Sequence, residues 1–102
     1  MMLDYAKNDK THKIITGGNA NFEKGFFVEP TVIETTDPNS KLLTTELFGP
    51  VLTVFVYEDH KIDQTLDLVD KSTIYALTGS VFASDKYVSS KYVCREQIVY
   101  LL

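Results

Sequence analysis

The chain has 102 residues, enough for one domain with a modest core. Ten basic against fourteen acidic residues give a net charge of −4, and no Lys/Arg cluster is dense enough to mark a nucleic-acid surface. No apolar run approaches the ~20 residues needed to span a bilayer, and the single cysteine, Cys94, excludes an internal disulfide.

In chain order, residues 1–8 carry Leu3 and Tyr5 among polar residues and read as helical turns. The N-terminus has neither the basic-then-apolar pattern of a secretory signal nor the Arg-rich pattern of an organelle transit segment. His12-Lys13-Ile14-Ile15-Thr16 is a β-branched run that ends at the breaker Gly17-Gly18, which predicts a short strand and a plain turn. Residues 25–34 are rich in aromatic and β-branched side chains and read as a strand interrupted at Pro30. A proline removes one ladder donor, so that strand is expected to be an edge or to bend there. Residues 35–49 show neither helical nor strand period, and their apolar anchors Leu42-Leu43 and Leu47-Phe48 predict a packed, functional loop.

Residues 51–57 are nearly continuous in apolar character, as expected of a strand covered on both faces. Ile62, Leu66 and Val69 recur at helical spacing opposite Asp63, Gln64, Asp67 and Asp70, predicting an amphipathic helix over 61–71 with a solvated acidic face. Residues 76–83 read as a second buried strand, followed by a helix from about Lys86 into the mid-90s. Strand–helix–strand–helix implies a right-handed crossover and a parallel pair. The fold class is therefore α/β, with mixed or parallel strands, flanking helices and a sheet incomplete at both ends. The apolar stretch 98–102 has no stop signal, so the chain reads as cut there.

Few residues carry chemistry. Gly17-Gly18 lacks the spacing of a phosphate-cradling motif. His12 and His60 stand apart, read as surface histidines, and join no metal-ligand spacing. Cys94 on a predicted helix reads as a buried, inert thiol. Glu46 differs in context. It stands at the mouth of a buried strand, in Glu46-Leu47-Phe48-Gly49-Pro50. One reading is a loop carboxylate bonded to backbone. The other is a carboxylate whose two oxygens accept hydrogen bonds from the vicinal hydroxyls of a sugar.

Glu46-Leu47-Phe48-Gly49-Pro50-Val51 resembles the Glu-(Ile/Leu)-Phe-Gly-Pro-Val segment of the NAD(P)-dependent aldehyde dehydrogenase superfamily. Gly25-Phe26-Phe27-Val28-Glu29-Pro30 and Tyr75-Ala76-Leu77-Thr78-Gly79 resemble two more of its segments, in the right order and spacing. Val54-Phe55-Val56-Tyr57-Glu58-Asp59 and Thr65-Leu66-Asp67-Leu68-Val69-Asp70 resemble the branch that oxidises glutamate γ-semialdehyde, the 1-pyrroline-5-carboxylate dehydrogenases. The resemblance covers about residues 3–95 and makes residues 1–102 part of a catalytic domain.

The resemblance implies a role for Glu46 at the nicotinamide ribose and for Phe48 beside the nicotinamide ring. It also implies NAD as cofactor, an aldehyde substrate, a homo-oligomeric parent enzyme and the mitochondrial matrix. The family's catalytic cysteine and general-base glutamate lie upstream of this region, and nothing makes Cys94 the nucleophile. The isolated chain is accordingly expected to be inactive, marginal in stability and prone to aggregate. The alternative expectations are a non-catalytic α/β module that docks onto a full-length subunit, or a member of another aldehyde dehydrogenase branch.

Overall fold

A computed structural model describes residues 1–75 and 79–86. The chain divides into two compact units, Met1–Ile62 and Asp63–Leu102.

The first unit opens with helix α1, Met2–Asn8. Leu3 and Ala6 are one turn apart, share a face, and are buried. Strand β1, His12–Thr16, runs antiparallel to β4, Thr31–Thr35, with a register shift between Ile14 and Thr16. Between them β2, Ala20–Asn21, and β3, Phe27–Val28, pair as a small antiparallel hairpin. Pro30 separates β3 from β4, so of the two expectations for that proline the bend holds and the edge does not: β4 is the central strand of β1-β4-β5.

Strand β4 alternates: Thr31, Ile33 and Thr35 are buried, while Val32 and Glu34 are partly covered. This is the period of two that a pleated strand imposes. Strand β5, Val51–Phe55, lies parallel to β4 with Thr31 opposite Val51 and Thr35 opposite Phe55. A parallel pair needs a crossover, and the connection here contains one helical turn, α2, Lys41–Thr44. Residues 35–49 are thus not without period. Ser40 caps the turn, its hydroxyl accepting the Leu42 N–H at 3.2 Å. The core cluster is Leu3, Ala6, Ile33 and Leu42, with Tyr5, Ile14, Leu47 and Val51 packed against it.

The expectation that both faces of β5 are covered is corrected. Val51, Thr53 and Phe55 are partly buried, but Leu52 is 60% exposed and Val54 is exposed on the opposite face. A continuous apolar run does not fix how many faces are covered, because periodicity carries no signal there.

After β5, a 3-10 turn, Asp59–Lys61, leads into helix α3, Ile62–Ser72, which runs through the boundary between the units. It begins one residue later than expected and keeps Asp63, Asp67 and Asp70 exposed. In the second unit Gly79 to Ala83 are not a strand, and Phe82 is 93% exposed. A strand exists only with a ladder partner, and these residues have none among the described residues. The remainder of that predicted strand (76–78), the following helix from Tyr87, Cys94 and the apolar stretch 98–102 lie outside the described residues.

Candidate functional site

The site is built where the parallel strands begin. The Thr31 N–H donates to the Pro50 carbonyl at 2.8 Å, and the Val51 N–H turns back to the Gly49 carbonyl at 2.8 Å. The three-residue turn over Gly49-Pro50-Val51 uses the fixed φ of proline and docks on the central strand. An open groove of about 380 Å³ lies there, lined by Thr16, Val32, Gly49, Pro50 and Leu52 among others.

Phe48 directly precedes this turn. Its φ is +45°, the one non-glycine residue at positive φ among the described residues, and the residue is 96% exposed. A bulky side chain in the left-handed region carries a conformational penalty of order 1–2 kcal/mol. No packing gain offsets it, since the ring touches little of the chain.

Glu46 follows Thr45, the C-cap of α2, whose N–H donates to the Lys41 carbonyl at 3.0 Å. Its carboxylate is exposed and accepts no backbone hydrogen bond among the described residues. The backbone bond of the first reading of Glu46 is thus not found among the described residues. Leu47, between Glu46 and Phe48, packs against the core. The sequence-predicted pair thus stands on one short segment, flanking a partly buried anchor.

This surface offers a carboxylate with two acceptor oxygens, a free aromatic face and a partly apolar groove beside them. Vicinal hydroxyls suit the first and a flat heteroaromatic ring the second. Either nucleoside half of a dinucleotide carries both, so the residues present fit such a ligand.

His12 is not the surface histidine expected. It is part-buried on β1, with its Nε2 2.8 Å from the Ser40 Oγ and its ring edge-on to Tyr5 at 5.1 Å. His60 is exposed, 3.4 Å from the Glu58 carboxylate. Gly17-Gly18 ends β1 as a breaker should, with both residues at positive φ, but forms no regular turn. Sequence reasoning misses Ser40, although a serine directly before Lys41-Leu42-Leu43 is an N-cap signal.

Comparison with known proteins places the chain among relatives. The model of the aldehyde dehydrogenase family matches residues 2–97. The mitochondrial delta-1-pyrroline-5-carboxylate dehydrogenase of Danio rerio is 51% identical over 86 residues, which are 84% of this chain and 16% of that protein. The probable delta-1-pyrroline-5-carboxylate dehydrogenase of Schizosaccharomyces pombe is 47% identical over 90 residues, 88% of this chain and 16% of that one. The crystal structure of the Mycobacterium tuberculosis delta-pyrroline-5-carboxylate dehydrogenase bound with NAD superposes with a TM-score of 0.78 at 35% identity, covering 94% of this chain and 17% of that one. The chain spans about a sixth of the length of the curated relatives it matches.

Proposed function

Since the chain belongs to the aldehyde dehydrogenase family, we propose that it forms the nicotinamide-facing side of an NAD site. We propose further that the enzyme it represents oxidises glutamate γ-semialdehyde to glutamate. The observation that carries the reading is the pairing of an exposed carboxylate, Glu46, with an exposed ring, Phe48, two residues on at φ +45°. The relatives' names support the substrate branch, and the names of several support a mitochondrial location.

In this reading Glu46 binds. Its two oxygens accept hydrogen bonds from the two ribose hydroxyls and so fix the sugar's orientation. Phe48 orients, its ring face limiting where the nicotinamide can lie, and the Gly49-Pro50 turn keeps the backbone close to the groove. NAD, when bound, supplies the hydride acceptor. Because the resemblance puts the family's catalytic cysteine upstream of this region and gives Cys94 no such role, the 102-residue chain alone is expected to produce no NADH from the semialdehyde.

The test is a titration of the chain with nicotinamide mononucleotide, followed by backbone amide NMR. The Glu46 and Phe48 amides shift with a dissociation constant of about 1 mM or weaker, as for a half-site worth only ~4 kcal/mol. Adenosine monophosphate leaves them in place, and Glu46→Gln weakens the response at least about threefold by removing one charge-assisted acceptor. Equal shifts from adenosine monophosphate would sink the assignment to the nicotinamide half.

A further inference from the structure

A carboxylate that selects a diol must be held in place, and Glu46 stands on weak local footing. Helix α2 has four residues, Lys41–Thr44. A single turn does not stabilise itself, because nucleation fixes several dihedrals for one or two hydrogen bonds. Something outside the turn holds it.

Ser40 is the hub. Its carbonyl accepts the Leu43 N–H at 2.9 Å and the Thr44 N–H at 3.2 Å, and its hydroxyl accepts the Leu42 N–H at 3.2 Å. It is 1% exposed, so solvent does not substitute for any of these partners. The hydroxyl is also 2.8 Å from the Nε2 of His12, a residue 28 positions earlier on β1. That bond joins the helical turn to the sheet.

Two further features make the join directional. The other ring nitrogen of His12, Nδ1, is buried without a partner among the described residues. The ring is therefore held by the Ser40 bond and by its edge contact with Tyr5 at 5.1 Å. The Lys41 ammonium, from the first residue of α2, lies 5.9 Å from the centre of the same Tyr5 ring. Residues 40 and 41 are thus both tied to the pair Tyr5 and His12, and the turn is clamped at its start. Its end is the Thr45 cap, and Glu46 is next.

We propose that His12 is a positioning residue: through its bond to Ser40 it fixes the single turn of α2 and so sets the backbone from which Glu46 meets a ribose diol. This rests on the nicotinamide-site reading for the identity of the ligand, but the clamp itself can be measured without one.

The experiment compares the chain with His12→Phe and His12→Gln. Phenylalanine keeps a ring against Tyr5 and deletes the bond. Glutamine places an amide near the position of Nε2, and the amide can turn either its donor or its acceptor to the Ser40 hydroxyl. Hydrogen exchange is read at the Leu43 and Thr45 amides, with the Ile33 amide as a reference in the central strand. In H12F, exchange at Leu43 and Thr45 rises about fivefold, the size expected for one lost hydrogen bond. Exchange at Ile33 is unchanged, and H12Q returns Leu43 and Thr45 to the parent rates.

Nicotinamide mononucleotide binding, read at Glu46, weakens by a similar factor in H12F and recovers in H12Q. If the parent chain does not bind the mononucleotide but the exchange pattern holds, the clamp stands and the nicotinamide reading fails. The proposal is overturned if H12F speeds Ile33 as much as Thr45, if neither changes, if glutamine fails to rescue, or if Thr45 in the parent exchanges as fast as Phe48.

Discussion

The Thr31 hydroxyl bridges two backbone groups, accepting the Gly18 N–H at 2.8 Å and donating to the Glu29 carbonyl at 2.8 Å. Thr31 is 2% exposed, and Gly18 is buried with it. Thr31→Val preserves shape and removes both bonds, stranding a buried donor. That costs about 1–3 kcal/mol. The expected result is a lower urea midpoint with an unchanged slope, and Thr31→Ser recovers most of the loss. A T31V midpoint equal to the parent's would mean that the bridge contributes nothing.

Gly17 meets the other side of the same corner. Its φ is +72°, and a Cβ there would overlap the Pro30 carbonyl oxygen. Gly17→Ala combines a left-handed penalty of about 1–2 kcal/mol with a clash against backbone that cannot swing aside. Gly18→Ala meets the tip of the Ile14 side chain at 3.1 Å, which can yield. G17A is therefore expected to melt well below G18A. The reverse order in a thermal scan would show that the corner relaxes more easily than its geometry implies.

Phe48 separates stability from binding. The residue is 96% exposed, so truncation forfeits little packing, while its φ of +45° suits glycine. Phe48→Gly removes a penalty of roughly 1–2 kcal/mol from the folded state and adds somewhat less than 1 kcal/mol of chain entropy to the unfolded one. The melting temperature is expected to stay level or rise, while the response of the Glu46 amide to nicotinamide mononucleotide falls. A drop in melting temperature would show that the ring packs on the chain, and the strain argument would then fail.

Local chemistry makes much of the fold legible in the sequence. The strand His12–Thr16 ends where Gly17-Gly18 ends the β-branched run, and Pro30 breaks the next strand because it lacks a donor. Glu46 and Phe48 stand out through the Glu-Leu-Phe-Gly-Pro pattern and sit together on one exposed segment. What the sequence hides depends on partners distant along the chain. His12 gives no local hint of Ser40, and the open face of Leu52 and Val54 cannot be told from a covered one by a run of apolar letters. The positive φ of Phe48 is likewise imposed from outside, since no propensity places phenylalanine there.

Asp9 closes the turn between α1 and β1, and it gives a pH-dependent prediction. Its Oδ1 accepts the Thr11 hydroxyl at 2.7 Å and the Thr11 N–H at 2.9 Å. The hydroxyl bond first, and the backbone bond second, hold the Asp9 carboxyl below the ordinary aspartate value, with desolvation opposing them and His12 adding a smaller pull. The sign follows from linkage. A carboxyl whose value is depressed by folding contributes stability above the unfolded aspartate value and loses it as pH falls through the folded one. Thr11→Val deletes the larger cause and keeps the backbone bond, so the Asp9 midpoint, followed by carboxyl carbon NMR, moves up toward the ordinary value without reaching it. Thr11→Ser retains the hydroxyl and leaves the midpoint where it was. If T11V and T11S titrate alike, the hydroxyl is not the cause, and the backbone N–H holds the carboxylate with only the smaller pull of His12 beside it.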